Sequence, residues 1–201
     1  MGERHVSRPG SVFVVLFVGS AALLGELVGS FADSDAQFVT LFSDTGNRIG
    51  YIAGSVLLVL AGLAFVWFAH ALSFDTGAYR VPLLITGAAV AIGMIVAALA
   101  FATVPLSLLF GSFFSDPGLE SGQAVLPQFG YVALSLGGML PAGIFIAIAA
   151  RTPDLLPRWL AIASYPVAIL VSLTALLFMP FALFVLWVIA TIVTVSRRPR
   201  P

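Results

Sequence analysis

Glu26 is the only carboxylate that lies well inside an apolar run of this sequence. It sits about five residues, or ~7 Å, from the end of the first run. An ionisable group at membrane depth is energetically costly, which makes Glu26 a candidate site for a proton or a cation. A neutral glutamic acid near the membrane interface is a second interpretation. We favour a third, an ion pair with Arg48 that ties the first two runs together, because the topology described below leaves Arg48 as the only basic residue on that side.

The fourth apolar run contains Gly137, Gly138 and Pro141 in close succession. Glycine and proline interrupt regular helical hydrogen bonding, so this stretch predicts a bent helix. A discontinuous membrane helix frees backbone carbonyl and amide groups, and transporters use such groups to bind substrates or ions. Glycine and proline are also common in membrane helices for packing alone, and we favour packing here.

Aromatic residues are numerous on the side of the membrane that carries Arg48. An aromatic belt at the membrane interface is the interpretation that we favour. The alternative is an apolar cavity for a lipid or another apolar ligand, in which Glu26, Gln123 and Gln128 supply the polar side chains. The aromatic residues concerned are Phe31, Phe38, Phe42, Phe110, Phe113, Phe114, Phe129 and Tyr131.

The other polar residues give little support for catalysis or cofactor binding. His70 lies near the end of the second run, where a lone histidine more often caps backbone carbonyls or contacts headgroups than relays a proton or binds a metal. The sequence contains no cysteine, which excludes thiolate metal sites, and no lysine, which excludes a Schiff base with retinal or pyridoxal phosphate. Signatures of nucleotide-binding and nucleic-acid-binding sites are also absent. We therefore predict no catalytic site, no metal, no cofactor and no nucleic-acid partner.

These residues are set in a strongly apolar chain. Hydrophobic residues make up 60% of the sequence and charged residues 9%, with a mean hydropathy of +1.10, whereas about a quarter of the residues in soluble proteins are charged. One continuous apolar pattern predicts a single domain over residues 1–201. The predicted fold class is all-α, a polytopic membrane protein built as a bundle of six transmembrane helices. The spans are predicted at about 11–31, 49–72, 81–105, 127–150, 159–178 and 180–196.

Two apolar stretches are too long for a single crossing of ~30 Å of hydrocarbon. Residues 81–110 would form a helix of ~45 Å, so the third span is expected to end or kink at Pro105. Residues 159–195 would form a helix of ~56 Å, so they are expected to fold as a hairpin with its turn at Pro180.

The polar segment between the first two runs predicts a short helix of its own. Ser34 and Gln37 fit a capping box, and Phe38, Leu41 and Phe42 follow at helical spacing. We expect this amphipathic helix to lie in the outer membrane interface, with Phe38 and Phe42 dipped into the acyl boundary. A turn is expected after it, before the second span.

The arginines determine the predicted orientation. Eight of the nine basic residues fall on one side of the six-span topology, and the positive-inside rule places that side, with both termini, in the cytoplasm. An arginine-only chain rich in alanine, glycine and valine is typical of a GC-rich bacterium, so the predicted location is the bacterial cytoplasmic (inner) membrane. Cleavage of the first run as a signal peptide after Ala32 is less favoured, because the run is longer than the usual 7–15 residues. The eight arginines are Arg4, Arg8, Arg80, Arg151, Arg158, Arg197, Arg198 and Arg200.

Small residues recur at four-residue spacing in three of the runs. Such spacing lets helix backbones approach closely. Packing within the chain explains it fully. The alternative is a protein partner, or a homo-oligomer, that uses these small-residue helix faces within the lipid bilayer. The sets are Gly25/Gly29, Gly50/Gly54 and Ala89/Gly93/Ala97.

Several short motifs resemble those of a known group. Residues 156–160 (LPRWL) open the fifth span, residues 46–48 (GNR) precede the second, and residues 126–130 (LPQFG) precede the fourth, while a Leu-Trp…Arg-Arg pattern closes the last hairpin. With these motifs the chain resembles uncharacterised six-span actinobacterial integral membrane proteins. The resemblance implies the six-span topology and implies no activity.

The function predicted first is that of a non-enzymatic integral membrane protein with a structural, accessory or partner-binding role. The alternative is a carrier for a small molecule or lipid, or a proton-coupled carrier. It would use a cavity in the outer half of the membrane, near Glu26 and the broken fourth span.

Overall fold

The structure, a computed structural model, describes residues 6–29, 42–74, 76–110, 125–173 and 179–196. Within these ranges the chain is helical and contains no strand. A 3₁₀ turn at Gly77–Tyr79 precedes the third helix, and a π-helical segment at Ala133–Met139 joins the fourth helix to the fifth. The α-helices are α1 (Ser7–Gly29), α2 (Thr45–Ser73), α3 (Arg80–Phe110), α4 (Val125–Val132), α5 (Leu140–Arg151), α6 (Arg158–Leu173) and α7 (Met179–Ser196).

Four stretches of helix are long and apolar enough to cross a membrane, which makes this a membrane-embedded protein. They are Ser7–Gly25, Thr45–Ser73, Gly77–Phe110 and Gln128–Arg151. In the described residues α6 has 16 residues and α7 has 18. At 1.5 Å per residue these helices measure ~24 and ~27 Å, short of the ~30 Å hydrocarbon core. Four of the six predicted spans are therefore found at full length, and crossing by α6 and α7 stays a prediction.

The helices form a ring in which each packs against the next along the chain. α2 lies between α1 and α3, and α3 packs on the rod made of α4, the π segment and α5. α5 packs on α6, α6 packs on α7, and α7 returns to α1. The last contact is close, because a Cβ added at Gly10 would lie 2.6 Å from the side chain of Ile192. Consecutive rods are antiparallel, as α1 and α2 show where Leu24 lies beside Gly54 and Phe13 beside Phe65.

The centre of the ring is filled by a cluster of rings that we call the aromatic core. Neighbouring ring centroids in it lie 5.0–6.5 Å apart, the usual range for aromatic pairs. All six members are buried, and they come from four different helices. The aromatic core therefore joins the first and last helices to α2 and α5. Its members are Phe13, Phe65, Phe68, Phe145, Phe184 and Trp187.

The antiparallel order brings the described arginines of the predicted inner side to one end of the bundle. Arg8 lies in the first turn of α1, Arg80 begins α3, Arg151 ends α5 and Arg158 begins α6. We call this the basic end. The other end, where Asp44 precedes α2, is called the Asp44 end. Arg4, Arg197, Arg198 and Arg200 lie outside the described residues.

Helix boundaries depart from the predicted spans at two places that contain a proline. α1 begins at Ser7 with Pro9 in its first turn, where a missing N–H leaves no helical hydrogen bond unmade. α3 continues through Pro105 to Phe110, so the third span does not end at Pro105, and the kink that was the other expectation there stays a prediction. Membrane helices tolerate an internal proline where neighbours compensate, and Pro105 is buried against them. Pro180 is the second residue of α7, and because residues 174–178 lie outside the described residues, the predicted hairpin turn stays a prediction.

The segment before α2 also differs from its prediction. Asp44 is the N-cap of α2, and its carboxylate accepts a hydrogen bond of 3.2 Å from the backbone N–H of Gly46, so the expected turn is a helix start. Phe42 is fully buried, with its ring 5.1 Å from that of Tyr51, rather than dipped into lipid. The rest of the predicted interfacial helix, including Phe38, lies outside the described residues.

Candidate functional site

A cavity of about 390 Å³ lies inside the bundle between α1, α2, α3, the α4–π rod and α7. α1 contributes one wall, from Phe17 to Gly25, and α7 contributes the facing wall, from Phe181 to Leu186. One residue of α2, one residue of α3 and Leu134 of the π segment line the sides between these two walls. The cavity is thus built by five elements that are far apart in the sequence.

The cavity occupies the half of the bundle nearest the Asp44 end. Gly25 lines it close to the end of α1, and Phe17 lies at its deep end. There the ring of Phe17 is 5.5 Å from that of Phe13, a member of the aromatic core. The aromatic core therefore separates the cavity from the basic end.

The lining of the cavity is almost wholly apolar. Its polar groups are the hydroxyl of Ser20, a buried residue, and the phenol of Tyr131, whose ring lies 6.5 Å from that of Phe181. Among the described residues that line the cavity, none carries a charge. An apolar lining of this kind suits the binding of an apolar molecule.

Glu26 follows directly after a lining residue, Gly25. Its backbone belongs to α1, whereas its side chain lies outside the described part of the structure. The helix register can still be read from Gly54, because a Cβ there would lie 2.9 Å from Leu24. From this level toward the Asp44 end, Glu26 lies two residues further along α1, and Arg48 lies six residues back along α2. Their backbones therefore differ in height along the helix axes by ~6 Å. The register permits the predicted ion pair, which stays a prediction.

Arg48 already has partners of its own at the Asp44 end. Its Nε donates to the backbone carbonyl of Phe42, and its Nη2 donates to that of Ser43 at 3.4 Å. These bonds tie the segment before α2 to the first turn of that helix. A guanidinium has five N–H donors, so these two carbonyls leave room for a carboxylate.

Gly137 and Gly138 lie where the π segment crosses α3. A Cβ added to Gly93 of α3 would overlap backbone atoms of both glycines. The predicted bend is therefore a π-helical segment in close backbone contact with its neighbour, which agrees with the packing interpretation. Pro141 follows as the second residue of α5, where its missing N–H is tolerated.

Most of the candidates predicted from the sequence do not meet at the cavity. Gln128 is exposed and is not among the lining residues. Gly137, Gly138 and Pro141 contact α3 or continue into α5 and do not line the cavity either. The π segment contributes Leu134 alone. Gln123 lies outside the described residues.

The sequence interpretation missed the walls on α1 and α7. Phe17, Ala21, Leu24 and Gly25 recur at helical spacing and form one stripe of α1. Ala182 of α7 also lines the cavity. Small residues next to large ones were the only sequence signal for a cavity in these helices. An alanine within an apolar helix, however, does not reveal which neighbouring helix it faces.

Three buried hydroxyls have no hydrogen-bond partner within the described part of the chain. They belong to Ser55, Ser135 and Thr191. Hydroxyls in membrane helices commonly donate to the carbonyl four residues earlier, as Ser164 does to Leu160 at 2.7 Å. Ser135 lies in the π segment, where the helical register is altered.

The comparisons with known proteins add nothing to this geometry. No protein-family model, no curated protein and no solved structure matches the chain. The resemblance to six-span actinobacterial proteins, drawn from short motifs, stays a prediction. Function must therefore be inferred from the site.

Proposed function

We propose that the chain is a six-span protein of the bacterial cytoplasmic membrane with both termini in the cytoplasm. The collection of Arg8, Arg80, Arg151 and Arg158 at one end supports this orientation under the positive-inside rule. The apolar sequence continues from α6 through residue 178, which would lengthen the sixth helix toward a full crossing. In this orientation the basic end is cytoplasmic and the Asp44 end is outer.

We further propose that the protein is non-enzymatic and binds an apolar molecule in its outer-half cavity. The observation that carries this proposal is the cavity itself, whose described lining residues are apolar and uncharged apart from the hydroxyls of Ser20 and Tyr131. Its volume of about 390 Å³ lies in the ~300–1,000 Å³ range of small-molecule sites. Well-packed helices leave few spaces larger than a water molecule between them, so a cavity of this size is a specific feature.

The same geometry favours binding over movement through the membrane. The aromatic core lies between the cavity and the basic end, and it contains no polar path among its six members. A carrier would have to open this core to release a ligand on the other side. The structural, accessory or partner-binding role predicted from the sequence is compatible with ligand binding and stays a prediction.

Native mass spectrometry of the protein, extracted gently from its own membrane, tests the binding proposal. We expect a stoichiometric apolar molecule on the wild type. Leu134→Trp should remove it, because Leu134 lines the cavity and is 8% exposed. Leu136→Trp is the matched control, since Leu136 lies two residues on in the π segment, is 47% exposed and does not line the cavity.

Two results would contradict the proposal. One is a wild type that carries no apolar molecule. The other is equal occupancy in Leu134→Trp and Leu136→Trp, with both variants folded by circular dichroism.

A further inference from the structure

The cavity is open to the side between α1 and α7. Four of its lining residues are exposed, two on each of these helices. Val18 is 50% exposed and Leu186 is 60% exposed, although both also face the cavity. Ala21 and Ala182, the other two, are too small to cover the gap. We call these four residues the lateral opening.

Away from this gap, three lining residues on different helices are buried. Leu24, Leu58 and Phe101 are each 4% exposed or less. They line the cavity from α1, α2 and α3. Closer to the basic end the first and last helices meet again, at Gly10 and Ile192. The lateral opening is therefore a local gap in the helix ring, facing the lipid.

The depth of the cavity matches one leaflet of a membrane. From Phe17 to Gly25 the wall of α1 covers eight residue steps, or ~12 Å along the helix axis. Half of the hydrocarbon core is ~15 Å thick. A cavity of this length at the Asp44 end runs beside the acyl chains of the outer leaflet for most of their depth.

We infer that the cavity holds one acyl chain of an outer-leaflet phospholipid, which enters through the lateral opening. This inference rests on the proposed ligand-binding function and on the proposed orientation. An acyl chain requires no polar partner, which fits a lining whose polar groups are one serine and one tyrosine. The headgroup stays outside the cavity at the membrane surface, so no charged side chain is needed within it.

A photoreactive lipid tests the inference. The full-length protein is reconstituted into phosphatidylcholine vesicles that contain a phosphatidylcholine with a diazirine near the end of one acyl chain. After illumination, cross-linked peptides are mapped by mass spectrometry. We expect cross-links at Leu58, Phe101 and Leu134, which line the cavity and are buried from the surrounding lipid.

Two tryptophan variants identify the route. Val18→Trp should reduce cross-linking at the buried positions about tenfold, because a large side chain would fill the lateral opening. Val15→Trp is the matched control and should leave it unchanged, since Val15 is one turn earlier on α1, is 70% exposed and does not line the cavity. Cross-links at the exposed position Val15 itself, in the wild type, report ordinary contact with lipid.

The outcomes separate this inference from the proposed function. Cross-links confined to exposed residues, or unchanged by Val18→Trp, would overturn the acyl-chain inference. If native mass spectrometry then shows a bound apolar molecule other than a phospholipid, ligand binding stands and the choice of ligand is wrong. If it shows no bound molecule, both fail.

Discussion

The indole N–H of Trp187 donates a hydrogen bond of 2.8 Å to the hydroxyl of Ser164, and both side chains are buried. The bond joins α7 to α6 beside the aromatic core. Ser164 in turn donates to the carbonyl of Leu160 at 2.7 Å, so its hydroxyl is used as donor and acceptor. Ser164→Ala should therefore lower the free energy of unfolding by about 1 kcal/mol, because it leaves the indole N–H without a partner.

The measurement is unfolding of the purified protein in mixed detergent micelles, followed by circular dichroism. Thr194→Ala is the control, since the hydroxyl of Thr194 bonds only carbonyls of its own helix, Ala190 at 2.8 Å and Thr191 at 3.2 Å. Equal losses in the two variants would show that the bond between helices contributes nothing.

Gly93→Ala should destabilise the protein by about 1–3 kcal/mol or more, because overpacked sites must move their neighbours. Here the neighbours are backbone atoms of Gly137 and Gly138, which cannot rotate away as a side chain can. Gly50→Ala is the matched control in another helix. A Cβ at Gly50 meets nothing within 4 Å, and alanine is favoured over glycine in a helix, so stability should stay equal or rise. Thermal unfolding of both variants checks the pair, and similar melting temperatures would contradict the close crossing.

Asp44→Ala should cost about 1 kcal/mol of stability through loss of the N-cap of α2. Asp44→Asn should retain most of the stability, because an asparagine side chain can still accept the hydrogen bond from Gly46. Hydrogen exchange in the first turn of α2 measures the effect locally. Faster exchange in both variants alike would assign the loss to the charge of Asp44 rather than to its cap.

The predicted pair of Glu26 and Arg48 is tested by a double-mutant cycle. Arg48→Ala should lower the melting temperature in any case, because it removes the hydrogen bonds to Phe42 and Ser43. If the pair exists, Glu26→Gln combined with Arg48→Gln should recover part of the loss seen in Arg48→Gln alone, since no unpaired charge then remains. Simple additivity of the two single changes would exclude the pair.

The apolar runs predicted much of the fold, because hydropathy reports which residues avoid water and how long each run is. Four spans follow from it, and together with the positions of the arginines it predicted the arginines gathered at one end. Length alone was misleading at Pro105, since packing around a buried proline lets α3 continue. Amphipathic spacing was misleading at Phe42, which packs on Tyr51 instead of facing lipid.

The candidate site was harder to predict than the fold. An apolar cavity in the outer half, near the level of Glu26, was one of the alternatives that the sequence left open. Its walls were not predictable, because Phe17, Leu58, Leu134 and Leu186 come from four elements and look like any other apolar residues in a span. A cavity depends on how side chains of different size meet across helices, and periodicity within one helix carries no such information.

The contact between α1 and α7 also bears on the order in which the molecule is assembled. α1 emerges from the ribosome first, and its partner α7 emerges only after the four rods between them, so the contact of Gly10 with Ile192 cannot form until α7 has emerged. Until then α1 can pack on α2 alone, and Phe13 lacks its neighbour Phe184. The central cluster therefore forms late, and during synthesis the side of α1 that will line the cavity is exposed to lipid from the start.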